Sequence, residues 1–275
     1  MDSSNTRLPA HRRQRILSEL DSKGAVRVEE LGRLFSVSEM TVRRDLDALE
    51  AEGLLERTHG GALPLRHVHR ERVFREKDHE QREAKESIAL LAASLIPEGE
   101  TVLVNSGSTT RLVIRHLARR PDLRIITNNM AAVAELPETV AAEVLLIGGR
   151  YRPESGCAVG EWALRLLEDL APARAILGAD GISLKAGLSS PVPEEAALTR
   201  RMIEIVNSVD VVADSAKVGR VCPFRIGPLE SVSRIISDSD TWAPEFREAG
   251  VTVVVPEELA LSPSPQNPGG MPGSF

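Results

Sequence analysis

Arginine and hydroxyl side chains carry the first readable chemistry in this chain. Thr41, Arg43 and Arg44 stand behind Ser38 in the stretch SEMTVRRDLDALEAEGLLERTHGGAL, residues 38–63. Arginine pairs bidentately with the edge of guanine, and a threonine methyl meets the thymine methyl, so these types on one helix face suit a major groove. Arg57, Thr58 and His59 follow, ahead of Gly60 and Gly61. A second set lies further along. It comprises Asn105-Ser106-Gly107-Ser108-Thr109-Thr110, Thr127-Asn128-Asn129, Gly148-Gly149-Arg150, Gly178-Ala179-Asp180-Gly181 and Asp214-Ser215-Ala216-Lys217. Hydroxyls and backbone N–H groups at a helix start suit an anion. Asn128 and Asp214 suit sugar hydroxyls, and Lys217 suits a phosphate as a point charge.

The first set needs a small helical scaffold. Residues 12–21 space Ile16, Leu17 and Leu20 along one helical face. Residues 22–24 break that helix, Val26-Arg27-Val28 is a short extended piece, and Glu29 to Phe35 forms a second helix packing through Leu31, Leu34 and Phe35. Ser36-Val37 makes a turn, and Ser38 is a good N-cap for a third helix, without the glutamate that would complete a capping box. At about 100° per residue, Val42, Leu46 and Leu49 share the inner face. Met40, Arg43, Arg44 and Asp47 point outward, with Thr41 and Ala48 on the flank. Past Gly53, Leu54 and Leu55 anchor a hairpin that presents Arg57, Thr58 and His59, while Gly60-Gly61 lets backbone approach a phosphate. An Arg-Arg pair alone is usually a solvated helix face. On the third helix of a helix-turn-helix, followed by a basic hairpin, it reads as a winged helix that binds double-stranded DNA. Ser38, Thr41, Arg43, Arg44, Arg57, His59 and Gly60 are the expected contacts.

Composition bounds the alternatives. Hydrophobic residues make up 42% and aromatics 3%, so the chain is globular with cores of Leu, Val, Ile and Ala. The net charge of −6 gives no global attraction to nucleic acid. Up to residue 72 there are 13 Lys/Arg against 12 Asp/Glu, so affinity must come from a few placed arginines. The longest near-apolar run, Ala89 to Ile96, is far short of the roughly 20 residues a membrane helix needs. The first residues lack the apolar segment of a signal peptide. Cys157 and Cys222 have no metal-ligand spacing and the histidines are scattered, which predicts a reducing cytoplasmic setting with neither metal nor cofactor.

The second set calls for a different scaffold. After a polar stretch at 64–73, a charged helix is expected from Phe74 through Lys85 to Ile96. Apolar runs then recur at Thr101–Val104, Leu123–Thr127, Val144–Ile147, Ala173–Gly178, Asp210–Ala213, Arg234–Ser237 and Val251–Val255. Helical segments fall between them at 109–118, 130–136, 161–170, 194–206 and 245–249. That alternation predicts a mostly parallel sheet covered on both faces. Taken alone, 105–110 is either an anion site or a serine-rich turn with an ordinary cap. Five polar clusters at equivalent strand ends favour a binding site, since open α/β sheets bind ligands there. Residues 259–275, rich in Pro, Gly and Ser, read as a disordered tail.

The residues Thr41–Leu46, Leu49-Glu50, Gly53, Arg57 and His59–Ala62 match the signature of the DeoR-type winged helix, so residues 8–63 resemble that domain. Residues 74–237 resemble the sensor domain of the same family, similar in fold to ribose-5-phosphate isomerase and coenzyme A transferases. The resemblance implies an α/β fold class with an N-terminal winged helix-turn-helix and a mostly parallel-sheet sensor domain at 74–258. It also implies a homo-oligomeric regulator, commonly a repressor of a sugar operon, released from DNA by a phosphorylated sugar. Its expected effector contacts are Ser106, Gly107, Ser108, Thr109, Thr110, Asn128, Gly148, Gly149, Asp180, Asp214 and Lys217, and no catalytic residues are expected. Three positions depart from the family pattern: Asn105 where Asp is frequent, Lys77 where Arg is usual, and Thr199 where Lys is common. The alternative is a sugar-phosphate-processing enzyme fused to a DNA-binding domain, for which Asp180, Asp214 and Lys217 could in principle serve acid-base chemistry.

Overall fold

The computed structural model describes residues 9–23, 25–58, 60–64, 66–67 and 81–256. Helix α1 (Pro9–Lys23), strand β1 (Val26–Arg27), helices α2 (Val28–Phe35) and α3 (Glu39–Ala51), and strands β2 (Leu55–Arg57) and β3 (Gly61–Pro64) come first. The strands form an antiparallel sheet in the order β1-β3-β2. Ile16, Leu20, Leu31, Phe35, Val42, Leu46, Leu49, Leu55 and Ala62 close one core beneath the helices. The expected inner face of α3 is thus the buried one. Two expected anchors are not: Leu34 is 45% exposed and Leu54 44%, because Gly32 and Leu55 take the inward positions instead.

Asp45 also points inward. It takes the Nε of Arg12 at 2.5 Å and the Nε of Arg13 at 3.3 Å, and both Arg12 and Asp45 are nearly inaccessible. This pair ties α1 to the flank of α3 and fixes that helix from behind. Gly61 has a structural reason to be glycine: a Cβ there would lie 1.8 Å from the Val26 carbonyl oxygen, inside the β1–β3 pairing. That space is filled by backbone, so Gly61 is not the open phosphate approach expected of it.

Strand β4 (Arg66–His67) follows, then α4 (Arg82–Ser94), β5 (Thr101–Val104), α5 (Ser108–Leu117), β6 (Arg124–Thr127), α6 (Met130–Ala134) and β7 (Glu143–Leu146). Next are β8 (Arg150–Arg152), β9 (Cys157–Val159), α7 (Glu161–Leu166), β10 (Arg174–Leu177), β11 (Gly181–Ser183), β12 (Gly187–Ser190) and α8 (Pro193–Glu204). The chain continues through β13 (Ser208–Val212), β14 (Arg220–Val221), β15 (Phe224–Gly227), β16 (Arg234–Ile236), α9 (Ala243–Glu248) and β17 (Thr252–Val254). Seven strands make one parallel sheet in the order β17-β16-β13-β10-β5-β6-β7. They coincide with the seven apolar runs read from the sequence.

Alternate residues of these strands enter different cores. Leu103, Leu177, Val211, Ile235 and Val253 face Met202 and Phe246, while Val102, Val104, Ile176, Val212 and Ile236 face Ile88 and Leu117. The sheet is therefore covered on both faces, as a parallel sheet requires. At its lower edge Asp210, fully buried, accepts from both Arg174 and Arg234. Three features were not foreseen: the β8–β9 hairpin, the antiparallel sheet β11-β12-β15 and the β4–β14 pair. Their strands are only two to four residues long; β8–β9 and β11–β12 are local hairpins, while β15 and β4 join partners distant in sequence. The charged helix is described from Arg82 on; residues 74–80, including Lys77, and the tail at 259–275 lie outside the described residues.

Candidate DNA-reading face and ligand cleft

Helix α3 starts on Ser38, whose backbone is extended and whose side-chain oxygen accepts the Thr41 N–H at 3.3 Å. The two hydroxyls are 2.9 Å apart. Ser38 and Thr41 are therefore held together as a cap, and they set the direction of the arginines beyond. Arg43 and Arg44 are exposed, as is Met40 at 60%. Arg43 rests 3.3 Å from Glu39 one turn back. An exposed pair of this kind is worth at most about 1 kcal/mol and yields readily to a better partner.

The wing differs from expectation. Arg57 is mostly covered, its Nε donating to Asp47 at 3.0 Å and its Nη1 to the Gly61 carbonyl at 2.7 Å. It braces the hairpin against α3 rather than standing free beside a DNA backbone. Gly60 is exposed, and its carbonyl accepts the Val28 N–H at 2.8 Å. His59 lies outside the described residues.

The second set converges on a cleft of about 700 Å³, its open mouth included, above the carboxyl ends of β5, β10 and β13. Ser106, Gly107, Ser108, Thr109 and Thr110 bring in the start of α5, and Asp180, Asp214 and Lys217 face them. Gly107 has φ 152 and no side chain to cap the helix, so the first N–H groups of α5 are left open toward the cleft. Ser108 and Thr109 are each 7% exposed, and their hydroxyls have no partner among the described residues. Asp214 is 3% exposed, and its carboxylate likewise has no hydrogen-bond or ion-pair partner among them. Lys217 reaches Asp180 at 3.5 Å, a loose ion pair. The turn carrying Asp214 and Lys217 is held by Asp238, which accepts the N–H and hydroxyl of Ser215 at 2.7 and 3.2 Å.

Three expected contacts fall outside this cleft. Asn128 is 1% exposed and donates to the Ala158 carbonyl at 2.9 Å, so it pins β9 to the end of β6. Gly149 approaches the Val159 carbonyl so closely that a Cβ would sit 2.7 Å from it. With Gly148 it turns the chain from β7 into the β8–β9 hairpin, and neither glycine lines the cleft. Asn129 does reach the cleft wall indirectly, donating to the Gly107 carbonyl at 3.2 Å.

Several lining residues escaped the sequence reading: Glu154 and Ser155 after β8, Ser190 at the end of β12, and Glu195 on α8, beside Thr199, which it had singled out. No local pattern marks them, because the hairpin and α8 are brought over the cleft by folding. Glu195 is paired with Arg152 at 3.5 Å. Asn105 exchanges two hydrogen bonds with the backbone of Gly178, at 2.9 and 2.8 Å, and donates to Thr199 at 3.2 Å. The two departures at 105 and 199 are thus one neutral contact that locks β5, β10 and α8 together. The buried Cys157 thiol is pushed up by burial and by Glu195, so it stays protonated and unreactive. Among the described residues no group of His, Cys, Asp and Glu is arranged to hold a metal ion.

The cleft is polar in two halves. Carboxylates of Glu154, Asp180, Asp214 and Glu195 outnumber the Lys217 ammonium, which leaves the α5 start and Lys217 as the end that can take an anion. The acidic remainder suits donors such as hydroxyl groups. No helix among the described residues is long and apolar enough to cross a membrane.

Comparison with known proteins agrees with both halves of the chain. Residues 12–67 match the model of the DeoR-like helix-turn-helix domain, and residues 80–239 match that of the DeoR C terminal sensor domain. The chain is 34% identical over 250 residues to the HTH-type transcriptional regulator GlpR of Haloferax volcanii, covering 90% of this chain and 98% of that protein. It is 33% identical to a putative aga operon transcriptional repressor of Escherichia coli O157:H7, over 90% of this chain and 93% of the other. It is 35% identical to the transcriptional repressor AccR of Agrobacterium fabrum, over 77% and 83%. Among solved structures, ribose 5-phosphate isomerase A from Methanocaldococcus jannaschii is similar at 18% identity and a TM-score of 0.36, over 50% of this chain and 55% of that one.

Proposed function

Since the chain belongs to the DeoR family of transcriptional regulators, we propose that it represses a carbohydrate-metabolism operon and leaves its operator when a phosphorylated sugar fills the cleft. In this reading residues 8–63 bind DNA, 64–73 link, and 74–258 sense the effector. The phosphate sits on the N–H and hydroxyl groups of Ser106–Thr110 with Lys217 as counter-charge, and the sugar hydroxyls donate to Asp214 and Asp180. Arg43 and Arg44 read the operator, and the chain works as a homo-oligomer on paired half-sites. A regulator of this kind acts in the cytoplasm, where its DNA is.

The observation that carries this proposal is the buried Asp214 carboxylate, open to the cleft with no partner among the described residues and opposite an uncapped helix start. Its oxygens face the open cleft, so the hydroxyl groups of a ligand can replace water as donors there. The test is a melting series with phosphorylated sugars. A ligand at 100 times its dissociation constant adds about 2.7 kcal/mol. The expected result is a raised melting temperature with one sugar phosphate, accompanied by lost operator affinity. No shift with any of them would sink the sensing role, and sustained turnover would instead support the enzyme alternative.

A further inference from the structure

Glu56 belongs to wing strand β2, yet it is 2% exposed and, among the described residues, makes no direct ion pair, the Lys185 ammonium acting on it from nearby. Its Oε2 accepts the Ser183 hydroxyl at 2.7 Å, and its Oε1 accepts the backbone N–H of Lys185. The Lys185 ammonium reaches Glu50 near the end of α3, and Glu50 also accepts the Arg57 N–H at 3.0 Å. The wing is thus plugged into the turn that follows β11.

That turn is five residues from the cleft. Asp180 immediately precedes β11, and its partner Lys217 lies three residues before β14. Between them the two segments run side by side. Ile182 bridges Val218, and the Gly219 N–H donates to the Ile182 carbonyl at 2.8 Å. There is no slack in this path. A Cβ on Gly181 would meet the Arg220 carbonyl at 2.5 Å, and one on Gly219 would meet the Pro64 carbonyl at 1.9 Å. Beyond Gly219, Arg220-Val221 pairs in parallel with Arg66-His67, the chain leaving the wing.

We propose that the β11–β14 pair is the relay between cleft and DNA-binding part, with Glu56 and Ser183 as its positioning residues. The relay rests on the cleft being the effector site. An anion on Lys217 competes with Asp180 for the ammonium, and the 3.5 Å spacing of that pair makes it the easiest contact in the path to exchange. Any displacement of β11 or β14 then reaches the wing, because a buried carboxylate cannot lose its two donors without moving with them.

Two measurements on the full-length protein test it. In the first, which needs no ligand, hydrogen exchange is compared between wild type and Lys217→Ala. The expected result is exchange raised about tenfold at the Lys185 amide and at residues 55–57, with α1 unchanged. Unaltered exchange at those amides overturns the relay. The second measures affinity for a site selected from random DNA, with and without fructose 1-phosphate, glycerol 3-phosphate or inorganic phosphate. Ser183→Ala and Glu56→Gln are expected to bind the active probe and the DNA as wild type does, while the probe's effect on DNA affinity shrinks about tenfold. A wild-type response in Ser183→Ala overturns the relay even if Glu56→Gln fails to fold. If none of the probes raises the melting temperature, the sensing proposal is the one that fails, and the exchange result still decides the relay.

Discussion

At the scale of single residues, charge and burial decide which side chains act outward and which hold the fold. Arg43 and Arg44 are exposed on the outer face of α3. Replacing either by alanine is expected to cost about 1–3 kcal/mol at the operator if it reads a base, whereas loss of a phosphate contact weakens all sequences alike. Competition binding against nonspecific DNA separates the two. Asp45, one position later and on the other side, is paired with Arg12 in the interior. Asp45→Ala removes the carboxylate that accepts from that buried guanidinium, and a loss of about 1–3 kcal/mol by denaturant unfolding is expected. Glu245 supplies a pH-dependent case. Burial pushes its carboxyl above the ordinary value, against weaker opposing pulls from its own N–H and Arg27. The folded chain therefore holds that proton more tightly than the unfolded chain. Its contribution is complete below the ordinary carboxylate range and is lost as pH rises through the raised value. Glu245→Gln should raise the melting temperature at neutral pH and lose that advantage in acid.

At the scale of elements, local signals place the helices and strands, and non-local packing orients them. The Ser38 cap is such a local signal. Ser38→Ala is expected to cost about 1 kcal/mol and to fray the start of α3, visible as faster exchange at the Thr41 amide. The seven sheet strands were legible because each is a short apolar run between helices. The alternation of Val102, Leu103 and Val104 between two cores explains why those runs carry no polar gap. The β8–β9 hairpin was not legible, since Arg150-Tyr151-Arg152 has no apolar period. It is a strand only because Cys157–Val159 pairs with it.

At the scale of the whole molecule, the winged helix and the α/β part share packing as well as chain. Leu63, on the wing's return strand, is fully buried in the core that includes Leu177 and Val211. Leu63→Ala should therefore destabilise the α/β part, by about 2–5 kcal/mol. Calorimetry checks this: a lowered transition for that part is expected, where an isolated wing would leave it unmoved. The same junction explains why Arg57 is a brace. On α3's side Arg57 is held by Asp47, and on the other side a cleft separates it from Leu184 and Glu248.

The winged helix, the exposed face of α3 and the parallel sheet were determined by sequence alone, because caps, apolar periodicity and strand-end glycines act through neighbours a few residues away. The membership of the cleft was decided only by tertiary structure. Ser106–Thr110, Asp180, Asp214 and Lys217 were visible at strand ends, but Glu154, Ser190 and Glu195 joined them through elements far away in the chain. Asn128, Gly148 and Gly149 left the set for the same reason: a polar residue at a strand end can face a ligand or tie down the next loop, and only the position of that loop chooses. The Glu56 link shows this most directly, since its partner Ser183 lies 127 residues away and no local pattern announces it.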